Sequence, residues 1–599
     1  MALSPGPYED SLGATAVLRL KDGMFNFLSF LPVLIAGLSW GFSFPAYGHA
    51  SLAWITPALI LIASNYPHSQ AALRKSYFIG ILNYLVSLHW LLHMPFLFGA
   101  ISGWLALSAY MAVYPMLWVW FCRLLMPAQT CNPQSSVSSL QVESRMSPPL
   151  ESATVEMGSS LLVSLSNVPL HRRAAWAIYC AASWTGLEWI SSWFLTGFPW
   201  NLLATSQFKL TPLLQVASFS GVYGVSFLIV WSSISLLCAI SQLFRTELST
   251  SNSREATSFL STNRIWAWVP DLIFPSLTIT GLMIWGSLRM TSATIDVRSV
   301  QVALVQPSIS QSLIFEPSES TNRFSKMLRL STIAMAANPD ILIWPEAGFP
   351  NPLRFDPTNH AALVKLLAGS DTWMILGADD VAPNLSTSDP EDYFYFNSAF
   401  LLDPKGNIIK DYPKQKLVVF GEYVPLTRWL PFLKYFTPVR EGFTAGKSPS
   451  WFEMKGKNAR CGMLICFEDA FPSLARKATD PNTDFLVNLT NDGWFGESSA
   501  QWQHAVTSVF RAIENGVPLV RCTNNGITCW VDAFGRIQEL HSSEPLDVYK
   551  PGVRLAKIPL RLPEFKGQST FYNEYGDVFG IGCAISMLVG VVRFKFKTV

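Results

Sequence analysis

The chain has 599 residues, of which 50% are hydrophobic and only 14% charged. Soluble proteins carry about 25% charged residues, so the composition points to a membrane protein with more than one domain. A net charge of +2 is close to balanced and suggests no nucleic-acid partner, and nine scattered cysteines without a CxxC pair argue against a disulfide framework or a zinc site.

Residues 1–23 read as a cytoplasmic tail without a clear cleavable signal, so the first apolar run is expected to stay as an anchor. A transmembrane domain of about seven helices is expected over 24–290, from apolar runs at 24–43, 50–65, 76–95, 98–126, 173–196, 213–244 and 266–289. A spanning helix needs about 20 mostly apolar residues, so the short run at 50–65 suggests a tilted or re-entrant segment. Residues 127–170, rich in Ser, Pro and Gln, read as a disordered cytoplasmic insertion. A last apolar run, within a C-terminal segment 576–599, ends in Arg593, Lys595 and Lys597. With the N-terminus inside, Arg19, Lys21, Arg74, Lys75, Arg123, Arg145, Arg172, Arg173, Arg245, Arg254 and Arg264 all fall on inner loops. This positive-inside bias puts residues 291–575 on the outer side of the membrane.

Within 298–565 the pattern changes to short apolar strands alternating with polar helical stretches. Strands are predicted at 300–306, 340–346, 372–378, 397–403, 461–469, 484–492, 518–524 and 528–535, and helices near 321–338, 358–369 and 500–515. Buried strands separated by helices imply an α/β layered domain.

Three reactive groups follow or end strands in this domain. "ILIWPEAG" ends on Glu346 just after Pro345, "DYPKQKLVVFGEYVPL" carries Lys414, Lys416 and Glu422, and "GMLICFED" presents Cys466 before Phe467, Glu468 and Asp469. A thiol with a pKa near ~8.5 is only a few per cent thiolate at neutral pH. A carboxylate can take its proton, and an ammonium can stabilise thiolate and oxyanion, together with backbone N–H groups after the cysteine. Glu, Lys and Cys together therefore suit acyl transfer through a thioester. A Cys–His pairing with His504 is a further option. Taken singly, each residue has a plainer reading: a packed thiol, a surface or capping carboxylate, a solvated lysine. Cys461 and Cys522 read as packing, and strand alternation expects Cys461 and Cys466 on opposite faces.

The contexts "WPEAGFP", "YPKQKLVVFGEYVPL" and "LICFED" resemble the nitrilase (carbon–nitrogen hydrolase) superfamily, whose members use a Glu–Lys–Cys triad on an αββα sandwich. With "TGFPWNLLATSQ", "VQPSISQSL", "NDGWFGESSAQWQHAVTSVFRAIENGVPLVRCTNNGIT" and the flanking spans, the chain resembles the apolipoprotein N-acyltransferase family over nearly its whole length. The fold class implied is a multi-span α-helical membrane domain plus a nitrilase-like αββα domain. The resemblance makes Glu346 the general base, Lys414 the oxyanion and thiolate stabiliser and Cys466 the nucleophile. It adds Glu422, Glu468, Phe467, Phe315 and Trp494 as supporting or substrate-binding positions and leaves Lys416 as a bystander. Three residues depart from the family pattern: Phe315 for the usual Trp, Phe467 for the usual Tyr and Val419 for the usual Pro.

The activity implied is ping-pong transfer of a fatty acyl chain from a phospholipid, phosphatidylethanolamine being the expected donor, to the α-amine of a diacylglyceryl-cysteine apolipoprotein. The setting implied is a multi-pass protein of the bacterial inner membrane with its catalytic domain on the periplasmic side. The lipid bilayer is then a partner. No nucleic acid, metal or organic cofactor is required, and a monomer is expected. The aromatics Trp494, Phe495, Trp502, Tyr423 and Trp429 are placed to dip toward the interface, although core packing explains such residues as well. Two other readings fit the residues: a membrane-tethered nitrilase-type amidase with water as acceptor, and a catalytically inactive lipoprotein-binding scaffold.

Overall fold

The computed structural model describes residues 30–45, 47–65, 69–127, 161–250, 266–291, 298–314, 316–384, 393–427, 429–436, 442–539, 548–561 and 566–597. The expected tail at 1–23, most of the 127–170 insertion and Phe315 lie outside them. The far end of that insertion does not match the expectation of disorder. Residues 161–166 are helical, with Leu161 and Leu165 buried in the helical core.

The apolar runs fold as helices: α1 (Phe30–Phe42), α2 (Thr56–Ala63), α3 (Ser69–Ser87), α4 (Leu97–Met111), α5 (Val113–Leu124), α6 (Leu170–Ser191), α7 (Val222–Thr250) and α8 (Val269–Thr291). Among the described residues, three helical segments are long and apolar enough to cross a membrane: Leu97–Leu124, Val222–Leu243 and Val269–Thr291. The run at 50–65 yields only a 3-10 turn (Ala50–Trp54) and α2. Eight helical residues rise about 12 Å against a hydrocarbon core of ~30 Å, so α2 does not cross alone.

Among the described residues, those from 299 onward build two six-stranded sheets. The first contains β1 (Ser299–Gln306), β2 (Ile341–Ile343), β3 (Trp373–Pro383), β4 (Tyr393–Leu402) and β5 (Ile408–Pro413). The second contains β6 (Trp451–Met454), β7 (Ala459–Ile465), β8 (Phe485–Thr490), β9 (Leu519–Thr523), β10 (Cys529–Val531) and β11 (Ile537–Glu539). The last strand, β12 (Gly552–Pro559), returns to the first sheet and pairs antiparallel with β1. Both sheets share one plan. The inner strands β1–β2–β3 and β7–β8–β9 are parallel, and antiparallel strands flank them.

The sheets pack face to face through Val302, Ile343, Ile375, Met463, Ile465, Val487 and Val520. Helices α9 (Ser320–Met335) and α10 (Pro357–Leu367) cover the outside of the first sheet through Phe324, Met327, Leu363 and Leu367. Helix α10 starts where its sequence dictates. Asp356 accepts a hydrogen bond from the Asn359 amide at 3.0 Å, and Pro357 occupies the first turn. Helix α11 (Pro472–Lys477) and helix α12 (Ala500–Asn515) cover the second sheet, and the apolar helix α13 (Val578–Lys597) ends the chain.

Helix α12 is wedged between the second sheet and the membrane-type helices, and every residue in it except Trp502 is buried. Its Val509, Phe510 and Ile513 belong to one continuous core with Leu464 and Leu486 of the sheet and Trp184, Val222 and Tyr223 of the helical domain. Polar ties run through Gln503, which is 2% exposed. Its Oε1 accepts from Trp90 Nε1 (3.0 Å), Trp200 Nε1 (2.9 Å) and Asn201 Nδ2 (3.1 Å). Its Nε2 donates to the carbonyls of Pro45 (2.8 Å) and Ser87 (3.0 Å).

A buried polar group stripped of its partner costs about 1–3 kcal/mol, and Gln503→Leu orphans several at once. That variant is expected to lower the thermal unfolding temperature of the detergent-solubilised protein by several degrees. An unchanged unfolding temperature would show that the amide does not join the two domains.

Candidate active site

Glu346, Lys414 and Cys466 follow three different strands and converge at the edge of the inter-sheet layer. Glu346 lies just beyond β2, in a segment that passes tightly over β3. A Cβ at Gly377 would stand 2.5 Å from the Pro345 carbonyl oxygen and 2.7 Å from Glu346 Cα, so glycine is required there. Lys414 follows β5 directly and is pinned by its backbone: its N–H donates to the Asn397 carbonyl (2.8 Å), and its carbonyl accepts from Gly446 (2.8 Å). Cys466 sits where β7 ends and a 3-10 turn (Cys466–Ala470) begins. Ala347, Phe420 and Cys466 hold φ of +51°, +62° and +51°. Left-handed conformations of non-glycine residues cost on the order of 1–3 kcal/mol and cluster at functional sites.

That φ explains a difference from the expected alternation. Cys461 and Cys466 do not lie on opposite faces; both belong to the inter-sheet core. The strand stops at Ile465, and the left-handed turn at Cys466 re-aims the thiol.

Lys414 is 1% exposed and its ammonium is shared between two carboxylates. Nζ donates to Glu422 Oε1 at 2.8 Å and to Glu346 Oε1 at 3.2 Å. Burial opposes the lysine's charge, but Glu346, Glu422 and Cys466 outweigh it and hold the ammonium well above the usual lysine range. Burial, and then Glu346, push the Cys466 thiol up, while Lys414 pulls it down. At Glu346, Oε2 is buried and accepts no hydrogen bond among the described residues.

Sequence reasoning missed Asn397 on β4. Its Nδ2 donates to both Glu346 Oε1 (2.8 Å) and Glu422 Oε1 (2.9 Å), bridging the two acids. A buried amide in the otherwise apolar run "NSAFLL" was the available signal. Directly opposite it on β3 is Asp379. Burial, Glu346 and Glu422 push its carboxyl up to about 6.

The supporting positions have distinct surroundings. Glu422 also accepts from the Val418 amide (2.8 Å), closing its own loop. Glu468 is fully buried. Its Oε1 accepts from the amides of Gln415 (2.6 Å) and Lys416 (2.9 Å), just after Lys414. Its Oε2 accepts from the Ile465 amide (2.8 Å), just before Cys466, and from the Tyr412 hydroxyl (2.8 Å). One carboxyl thus ties the lysine loop to the cysteine turn. Burial pushes that carboxyl up to about 7 against these hydrogen bonds. Phe467 joins an aromatic wall with Phe471 (4.9 Å), Trp200 (5.9 Å) and Phe198 (6.0 Å between ring centroids). Trp494 lies half-buried in the 3-10 turn Asp492–Phe495 that follows β8.

Lys416 does more than fill space. Its Nζ donates to the Thr196 carbonyl of the helical domain and lies 4.7 Å from the Phe471 ring centroid. His504 does not pair with the thiol as the sequence allowed. It contacts the Cys466 carbonyl (3.2 Å), Asp492 Oδ1 (2.7 Å) and Asp469 Oδ1 (2.9 Å). The preference is electrostatic, because the imidazole sits between two buried carboxylates. Among the described residues no group of three His, Cys, Asp or Glu side chains is placed to hold a metal ion.

The carbon–nitrogen hydrolase family matches residues 301–562, the sandwich just described. The apolipoprotein N-acyltransferase N-terminal domain matches residues 36–235, within the helical region. The chain is 32% identical to an apolipoprotein N-acyltransferase of Geobacter metallireducens over 95% of this chain and 96% of that one. It is 32% identical to one of Bradyrhizobium diazoefficiens over 70% of this chain and 74% of that one. A solved amidase structure from Nesterenkonia sp. aligns with 45% of this chain and 94% of its own at 17% identity, with a TM-score of 0.32. Its apolar helices make the chain a membrane-associated protein with a nitrilase-type α/β domain. The chain belongs to the apolipoprotein N-acyltransferase family, and with it to the acyltransferase class of enzymes.

Proposed function

We propose that the protein moves a fatty acyl chain from a membrane phospholipid to the N-terminal α-amine of a diacylglyceryl-cysteine lipoprotein, through a thioester on Cys466. The observation that carries this reading is the buried Lys414 ammonium, bound by Glu346 and Glu422 at the edge of the inter-sheet layer that also holds Cys466.

In the first half-reaction the Cys466 thiol gives its proton to Glu346, whose Oε2 is free to take it. The sulfur attacks the ester carbonyl, and the Lys414 ammonium stabilises the oxyanion. The C–O bond breaks, the lysophospholipid alkoxide takes the proton from Glu346, and the acyl thioester remains. In the second half-reaction the acceptor amine attacks that thioester, its proton passes to Glu346, the C–S bond breaks, and the released Cys466 thiolate takes the proton back from Glu346. Phosphatidylethanolamine, with its ester at the sn-1 position, is the donor this reading favours.

Both reactants are lipids, so the site must meet a bilayer. Leu426, Trp429, Leu430 and Phe432, in the loop after Glu422, are exposed, Trp429 by 78%. Trp193, Phe194 and Leu195 of the helical domain are exposed as well. These apolar tips support a catalytic domain, 291–575, lying on the outer face of the membrane, with 24–290 and 576–599 as its anchor. The charge bias of the loops supports the periplasmic side of a bacterial inner membrane.

Cys466→Ala is expected to reduce transfer to a synthetic diacylglyceryl lipopeptide by more than about 10³-fold, while Cys461→Ala stays within a few-fold of the parent. Transfer that survives in Cys466→Ala would refute the nucleophile. Free fatty acid released without transfer would favour the amidase-like reading, with water as acceptor. Asn397→Leu removes two hydrogen bonds to charged groups, each worth about 1.5–3 kcal/mol. A fall of about ten- to hundredfold in kcat/KM is expected, and an unaltered value would mean the amide does not organise the two acids.

A further inference from the structure

Behind the cysteine turn lies a buried cluster that the reaction above does not use. Arg521 on β9 donates through Nη1 to Asp469 Oδ2 (2.8 Å) and through Nη2 to Asp492 Oδ2 (2.9 Å). Ser508 donates to Asp469 Oδ2 (2.8 Å). His504 on α12 completes the cluster, with Trp200 of the helical domain against its ring at 5.4 Å. His504, Asp469, Asp492 and Arg521 are each at most 1% exposed. Two carboxylates and one guanidinium leave one negative charge to be balanced. The Nδ1 of His504 faces Asp492 Oδ1, and its Nε2 faces the Cys466 carbonyl oxygen and Asp469 Oδ1, all of them acceptors. Arg521 Nη2 also stands 2.7 Å from Nδ1 as a donor and competes with Asp492 Oδ1 for that nitrogen; the uncompensated negative charge of the cluster favours a proton on Nδ1, with Arg521 Nη2 then bonded to Asp492 alone. An imidazolium, with a proton on each nitrogen, satisfies both sides and neutralises the cluster.

The second partner of the Cys466 carbonyl is Asn488 on β8, whose Nδ2 donates at 3.2 Å. Two side chains therefore hold one carbonyl, that of a residue with φ +51°. In a planar trans peptide, C=O and N–H point in opposite directions. Fixing the Cys466 C=O toward His504 and Asn488 turns the Phe467 N–H away from the cluster.

We propose that His504 and Asn488 are positioning residues that lock the Cys466–Phe467 peptide so that the Phe467 N–H faces the developing oxyanion, with His504 acting as a resident imidazolium. The proposal rests on Cys466 being the nucleophile. It assigns a role to neither side chain in proton transfer: the thiol proton still goes to Glu346. Burial and Arg521 oppose the charge on His504, but Asp469 and Asp492 outweigh them and push it up to about 9.

Two reactions of the same thiol separate positioning from general damage. Acylation by a phospholipid builds an oxyanion; alkylation by iodoacetamide does not. In detergent-solubilised full-length protein, His504→Leu and Asn488→Leu are each expected to lower the acylation rate constant by about 10²-fold, the scale for a lost oxyanion donor. KM for phospholipid and the second-order rate of Cys466 alkylation should stay within about threefold of the parent. His504→Gln keeps a donor without the charge and should recover part of the acylation rate. A parallel fall in alkylation, or unaltered acylation in both Leu variants, overturns the proposal. If the parent protein itself forms no acyl-enzyme, the thioester reading fails first and this one with it.

A pH series gives an independent readout. The folded-state pKa of His504 lies above the ~6.5 of an unfolded histidine, so its contribution to stability is complete below ~6.5 and is lost as pH rises through about 9. The unfolding temperature of the parent should therefore fall across that window more steeply than that of His504→Gln. Identical slopes would contradict a resident imidazolium.

Discussion

The site depends on one buried ammonium. Lys414 is almost fully out of water, and the paired charge of Glu346 and Glu422 is what chiefly keeps its proton in place. Breaking such a buried network by removing one partner typically costs about 3–5 kcal/mol, because a charge is left uncompensated. The surrounding structure follows from this demand. Asn397 donates to both acids, lowering the repulsion between them. Glu468 fixes the backbone on either side of the pair, at Gln415–Lys416 and at Ile465. Gly377 lets the Glu346 segment pass close over β3. The Cys466 thiol is raised by burial, so under the proposed mechanism Glu346 and Lys414 have to be held in position before a substrate arrives.

The second constraint is the union of the sandwich with the helical layer. Helix α12, an outer layer of the sandwich, does not face water but packs against other helices. Its two adjacent residues divide the work. Gln503 reaches out to Pro45, Ser87, Trp90, Trp200 and Asn201 of the helical domain. His504 reaches in to the Cys466 carbonyl and two carboxylates. Trp200 touches both residues and also the Phe467 ring. The helical domain therefore meets the cysteine turn directly rather than through a flexible tether. This packing couples the orientation of the cysteine turn to the helices that bury it.

Much of this was legible in the sequence, and the failures have physical causes. The buried inner strands announce themselves as continuous apolar runs, so β1, β3, β7, β8 and β9 were placed within a few residues. Four strands were not foreseen: β5, β6, β11 and β12. They are antiparallel strands on the flanks, and charged residues such as Lys410, Asp411, Arg554 and Lys557 hide their alternation. That Glu346 and Lys414 belong to one cluster was readable because each sits in a distinctive local context. Asn397, Asn488 and the His504 cluster were not, because their meaning lies in partners 51, 22 and 38 residues away. The faces of the two cysteines were misassigned for a related reason. Alternation holds only while the strand continues, and a left-handed φ at its end is a tertiary outcome.

The most direct test of the account is a mass measurement. Purified protein is mixed with phospholipid vesicles in the absence of acceptor, denatured and analysed intact, then digested under conditions that preserve thioesters. The account predicts a mass gain of one acyl chain on the peptide that contains Cys466, lost on brief hydroxylamine treatment or on addition of a diacylglyceryl lipopeptide. An acyl group found on any other residue, or no adduct while transfer to the lipopeptide still proceeds, would contradict it.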